Sequence, residues 1–198
     1  MPALPYYDKI PSLYISRGNV RRDGLKGHVL MRNLYLVGFM GTGKTAVAGV
    51  LSSRLGLKLA DMDKMIEEQE GMAVREIFRT RGEPYFRDLE KALVSRLAAQ
   101  QGYVVACGGG VFADPVNIGL MKKSGTVVCL TSRPETILRR TSRNKERPLL
   151  DVVEPLAAIE GLLKKRQACY SQAHYTVDCD ALSVEESAQA VLEILKKS

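Results

Sequence analysis

The sequence predicts an α/β protein: a mostly parallel sheet covered by helices on both faces. Three observations predict it. From residue 33 onward, five short apolar runs alternate with helical patterns, the arrangement of a chain that winds back and forth through one sheet. The first run, "LYLV" at 34–37, leads directly into "GFMGTGKT" at 38–45, the G-x-x-x-x-G-K-[ST] spacing of a phosphate-binding loop set between a strand and a helix. A content of 45% hydrophobic and 26% charged residues over 198 positions suits one soluble domain with a sizeable core.

Each element has its own local reason. The strand at 34–37 is followed by a helix over 45–55, where Val47, Val50, Leu51 and Leu55 share the face that packs on a sheet. A second strand at 57–60 ends in Asp61-Met62-Asp63. Two aspartates two residues apart on an extended segment point the same way; the alternative is a pair capping a helix over 64–70. A helix over 84–101 carries Leu89, Leu93 and Leu97 on one side. A third strand at 103–107 ends in Gly108, Gly109 and Gly110, and a fourth at 126–130 lies between helices over 115–123 and 135–140. Helices over 156–173 and 184–197 enclose the last strand at 175–177. No internal repeat or low-complexity tract interrupts the pattern.

Residues 1–31 stand apart. They show no clear periodicity and hold five basic residues (Lys9, Arg17, Arg21, Arg22, Lys26) against Asp8 and Asp23. This is read as a partly disordered accessory extension, with the catalytic domain over 32–198 and Met31 as an alternative start. Apolar runs fall far short of the roughly 18 residues of a membrane span, and the N-terminus lacks a signal-like apolar region. A cytoplasmic monomer without membrane or nucleic-acid partners is expected. The net charge of +7 is spread along the chain, which an anionic small substrate explains as well as nucleic acid does. Four cysteines without a CxxC pair read as reduced structural thiols.

Ligands of such a sheet bind beyond the carboxyl ends of its strands. At the first end, the backbone of Gly41, Thr42, Gly43, Lys44, Thr45 and Ala46 cradles nucleotide phosphates, with Lys44 on the β- and γ-phosphates and the Thr45 hydroxyl toward Mg2+. Neither the third nor the fourth strand ends in the usual metal-side aspartate, which leaves Asp61 as the nearest candidate for the metal shell and Asp63 for the acceptor hydroxyl. Arg87, near the start of a helix, opposes the helix dipole, so an anionic ligand would justify it; surface pairing with Glu83, Asp88 or Glu90 is the competing reading. Arg147, in "RNKERPLL", marks a lid over 141–153 whose closure would bring a cation to the γ-phosphate. Spacing leaves Arg166 undecided between a ligand contact and one more basic helix residue. "NKER" at 144–147 departs from the guanine signature N-K-x-D at its last position, which favours ATP over GTP.

"GFMGTGKT", "DMD", "EGMAVREIFRTRGEPYFRDLE", "CGGGV", "RPLL" and "RQACY", in this order and spacing, resemble the shikimate kinase family from about Asn33 to the C-terminus. The resemblance implies a nucleoside-monophosphate-kinase-like fold of the P-loop NTPase class, a three-layer sandwich around five parallel strands in the order 2-3-1-4-5. It also implies ATP-dependent phosphorylation of the 3-hydroxyl of shikimate in the pathway to chorismate and the aromatic amino acids, with Mg2+ as cofactor. Carried over by position, Asp63, Arg87, Gly109, Gly110 and Arg166 bind shikimate, the two arginines gripping its carboxylate. Thr45 and Asp61 form the magnesium side, Lys44, Asp63 and Arg147 act on the transferring group, and Arg140 flanks adenine. Two departures stand out: Cys107 replaces a small hydroxyl residue, and "VDCDALSVEE" lacks the proline that often completes the adenine site. Gluconate or a nucleoside monophosphate as acceptor, and a nucleotide-binding regulator without catalysis, are the competing readings; residues alone do not separate shikimate from quinate.

Overall fold

The computed structural model of the chain describes residues 32–142 and 154–197. Five strands, β1 (Asn33–Val37), β2 (Lys58–Asp61), β3 (Tyr103–Ala106), β4 (Gly125–Thr131) and β5 (Tyr175–Asp178), form one parallel sheet in the order β2-β3-β1-β4-β5. The expected order and all five strands are borne out. Registers such as Leu36 opposite Ala106 and Val128, and Asp61 opposite Ala106, bring the carboxyl ends of the central strands to a common edge. Everything proposed for function follows one of those ends.

Helices cover both faces because the central strands are apolar on both. One core layer joins Leu34, Leu36, Val104, Ala106, Val128 and Leu130 to α1 (Lys44–Leu55) and α7 (Val184–Lys196). The other joins Tyr35, Val37, Val105, Val127 and Cys129 to α2 (Met62–Glu70), α3 (Val74–Ala98), α4 (Pro115–Ser124), α5 (Pro134–Thr141) and α6 (Pro155–Tyr170). All four cysteines are free, and Cys107, Cys129 and Cys179 are buried. Among the described residues no helix is long and apolar enough to cross a membrane.

Two expectations need correction. The helix expected over 84–101 begins earlier, at Val74; it breaks at Gly82 (φ 80°), and the residues before that break were not read as helical. Their apolar members, Val74, Ile77 and Phe78, are too few to declare a period without the core they meet. Asp61 and Asp63 do not share an extended segment either. Asp61 closes β2 and caps α2 by accepting from the Lys64 N–H, whereas Asp63 already lies in the first turn of that helix. A backbone N–H left over at a helix start outcompetes continuation of the strand. The expected extension over residues 1–31, and the expected lid beyond Ser142, including Arg147, lie outside the described residues.

Candidate active site

The loop between β1 and α1 is built on glycine. Gly41 (φ 78°) and Gly43 (φ 92°) hold the left-handed backbone that folds the chain around an anion, a conformation that side chains resist. Gly43 is also the N-cap of α1 and offers no side chain to it, so the first N–H groups of the helix are left for a ligand. The Phe39 carbonyl collects the local donors: the Lys44 ammonium at 2.8 Å and the Thr42 hydroxyl at 2.8 Å. Beside Lys44, the Thr45 hydroxyl donates to Asp61 Oδ2 at 2.8 Å. A hydroxyl and a carboxylate in contact at the mouth of this loop are the hard oxygen donors that Mg2+ takes, with phosphate and water completing its shell. Among the described residues no group of three or more His, Cys, Asp or Glu gathers to hold a metal unaided.

Next to this loop, the turn after β3 is pressed from all sides by charged groups. A Cβ at Gly108 would lie 2.7 Å from Glu90 Oε1 and 2.9 Å from Asp63 Oδ1. At Gly109 it would lie 3.5 Å from the Met40 amide and 3.7 Å from Arg166 Nη1, and at Gly110 it would lie 2.7 Å from the Arg87 guanidinium carbon. The three glycines are therefore where Asp63 of α2, Arg87 and Glu90 of α3, Arg166 of α6 and the phosphate loop converge. Arg166 donates to the Gly109 carbonyl at 2.9 Å and stands 5.5 Å from the Phe39 ring centre, so the phosphate loop, the glycine turn and α6 meet in one side chain.

Arg87 is held by two carboxylates of its own helix: Nη1 donates to Glu90 Oε2 at 2.6 Å, and Nη2 to the exposed Glu83 at 2.6 Å. The expected surface pairing is thus present, but with one partner deep inside. The Glu90 side chain is only 2% exposed, its Oε1 has no hydrogen-bond partner, and burial pushes its carboxyl up to about 7 despite the Arg87 charge. Sequence reasoning met Glu90 only as a competitor for Arg87. Its signal was nevertheless present: Phe86, Glu90, Leu93, Val94 and Leu97 follow one helical face, and a glutamate stands in an apolar stripe. Tyr170 was missed too. Its hydroxyl donates to the same Gly109 carbonyl at 2.9 Å, one helical turn beyond Arg166.

Arg140 belongs to another element, α5. It ends α5 and donates to the Cys179 and Asp180 carbonyls at 3.1 and 3.4 Å and to the Ser132 hydroxyl at 3.1 Å. A Cβ at Gly41 would lie 2.8 Å from Thr141 Cγ2, so α5 abuts the phosphate loop. Cys107 is fully packed at the base of the site, and burial pushes its thiol well above the ordinary range although Lys44 pulls the other way. It is a filler there, not a nucleophile.

The family model described as Shikimate kinase matches residues 40–196, most of the chain. The chain belongs to the shikimate kinase family. A shikimate kinase of Caldanaerobacter subterraneus subsp. tengcongensis is 44% identical over 162 residues, covering 82% of this chain and 95% of the relative. Shikimate kinase from Acinetobacter baumannii, solved in complex with shikimate, superposes with a TM-score of 0.81 at 37% identity, covering 84% of this chain and 94% of that one. The enzyme from Aquifex aeolicus gives 0.72 at 31% identity over 83% and 96% of the two chains.

Proposed function

We propose that this chain transfers the γ-phosphoryl group of ATP to the 3-hydroxyl of shikimate, giving shikimate 3-phosphate and ADP on the way to chorismate. One observation carries the reading beyond family membership: two arginines and an aspartate from three helices converge on the glycine turn beside the phosphate loop. That arrangement suits a small acid that presents a carboxylate at one end and a hydroxyl at the other.

The roles follow from the contacts. Arg87 and Arg166 are both occupied by protein acceptors, and a substrate carboxylate replaces the weaker of these, exposed Glu83 on Arg87 and the Gly109 carbonyl on Arg166. The buried pair with Glu90 keeps the Arg87 fork aimed while its outer donors change partner. Tyr170 holds the Gly109 carbonyl after Arg166 has left it. Asp63, on the other side of the turn, orients the ring hydroxyls and accepts the proton as the acceptor oxygen attacks phosphorus. Lys44 leaves the Phe39 carbonyl for the phosphates, joined by backbone N–H groups of residues 41–46. Thr45 and Asp61 would hold Mg2+, which supplies charge neutralisation on the phosphates. Arg140 borders the adenine and Arg147 approaches the γ-phosphoryl from the 141–153 segment. Four free cysteines suit a reducing, cytosolic compartment.

The test is ADP release with Mg2+ and ATP across shikimate, quinate, gluconate and AMP. Turnover that depends on shikimate is expected; gluconate or AMP turning over comparably while shikimate is inert would overturn the assignment.

A further inference from the structure

α5 is a helix of eight residues, two turns that would not hold alone, and its N-cap, Arg133, gives it no side-chain cap. The missing cap comes from elsewhere in the chain. Asp180, in the loop after β5, accepts from the Arg133 backbone N–H at 3.0 Å through Oδ1 and from Arg133 Nε at 2.5 Å through Oδ2, with the Thr136 side chain as a further hydrogen-bond partner. Asp180 is itself set by its N–H donating to Asp178 Oδ1 at 3.0 Å. At the other end of the same helix, Arg140 returns the tie by donating to the Cys179 and Asp180 carbonyls. Loop and helix are thus laced at both ends.

We propose that Asp180 is a positioning residue for the nucleotide base: by capping α5 from the loop after β5, it fixes where Arg140 stands relative to that loop. The inference rests on the reading of Arg140 as the adenine-side arginine. Without the cap, Arg133 at the N-cap loses the acceptor for its N–H and Thr136 in the first turn loses a side-chain partner, the helix frays from that end, and Arg140 no longer faces a fixed loop. Phosphate binding does not depend on this tie, since Gly41 to Ala46 and Lys44 are held by β1 and α1. Nor does shikimate binding, whose side chains come from α2, α3 and α6.

The experiment compares ADP, pyrophosphate and shikimate binding by calorimetry in the unmodified chain and in Asp180→Ala, Asp180→Asn and Arg133→Gln. Asp180→Ala removes cap and ion pair together, and its ADP Kd is expected to rise on the order of tenfold, with pyrophosphate and shikimate Kd unchanged. Asp180→Asn keeps an acceptor for the Arg133 N–H and Arg133→Gln removes only the ion pair, so each is expected to weaken ADP measurably, by about two- to threefold. ADP binding in Asp180→Ala equal to that of the unmodified chain overturns the proposal. So does an equal loss of all three ligands, which is general loosening. If Asp180→Ala does not fold, unchanged ADP binding in both milder variants overturns it. Shikimate-dependent ADP release by the unmodified chain is measured alongside. Its absence would sink the assigned reaction, whereas the contrast between ADP and pyrophosphate would still decide the role of Asp180.

Discussion

Glu90 and Arg87 form a pair whose members are stable in each other's company and uncomfortable apart. Burial raises the Glu90 carboxyl to about 7, above its unfolded value, so the folded chain holds a proton there that the unfolded chain has released. The stabilisation tied to that proton is fully present below about pH 4.5 and is lost as pH rises through about 7. Glu90→Gln removes the titration, and chemical denaturation between pH 5 and 8 should show a flatter stability profile than the unmodified chain, with shikimate binding weakened above about pH 7, where Arg87 loses its charged anchor. An unchanged profile would show that Glu90 does not titrate there. Arg87→Ala should chiefly raise the shikimate KM, at a loss of roughly 2 to 5 kcal/mol. Arg87→Lys should be damaging as well, because an ammonium lacks the planar fork that reaches Glu90 and an outer carboxylate together. Calorimetric shikimate titration of both variants checks this, and near-normal affinity in either would remove Arg87 from the substrate site.

The glycine turn after β3 acts as an element. Gly108 and Gly110 carry no side chains because Asp63, Glu90 and Arg87 already occupy the space where a Cβ would go, whereas a Cβ at Gly109 would meet Met40 and Arg166 at ordinary contact. Gly110→Ala is the informative change, since the added methyl meets only the flexible end of Arg87 and the backbone there is unstrained (φ −105°). The fold should tolerate it, with Tm shifted by no more than a few degrees, while the shikimate KM rises by on the order of tenfold as the guanidinium is pushed aside. The ATP KM should stay put. Parallel increases in both KM values would mean that the turn serves the whole site and not its substrate half.

For the whole molecule, every residue assigned to the site lies beyond residue 31, and the described sheet opens at Asn33. A chain beginning at Met31 should keep kcat/KM within a few-fold; a fall of about a hundredfold, or 2.7 kcal/mol, would give residues 1–31 a catalytic part. The site spans α1, α2, α3, α6 and the turn after β3, so ligands that join these elements should stabilise the fold as a unit. Shikimate and ADP with Mg2+ at about 100 times Kd should each add about 2.7 kcal/mol to the unfolding free energy. A ligand that leaves thermal unfolding unmoved at that saturation does not bind the native state in the way described here.

The phosphate loop was legible because its function resides in local backbone: glycine spacing, an apolar strand before it and an apolar stripe after it specify the loop wherever the sheet lies. The five strands were legible for the same reason, since period and length are local properties. The pairing of Asp61 with Thr45 and the displacement of Asp63 into α2 were not, because a helix cap competes with a strand end by an energy too small for spacing to rank. Arg87 and Arg166 illustrate the remaining boundary. Residue type marked both as candidates, yet each was equally readable as a surface cation until the sheet brought α3 and α6 to opposite sides of one glycine turn. Asp180 and Arg133 are 47 residues apart, and nothing local to either announces the other. The sequence alone settled which chemistry the chain carries; tertiary structure decided which charges are buried against which, because burial and partner choice depend on contacts between segments that no local pattern encodes.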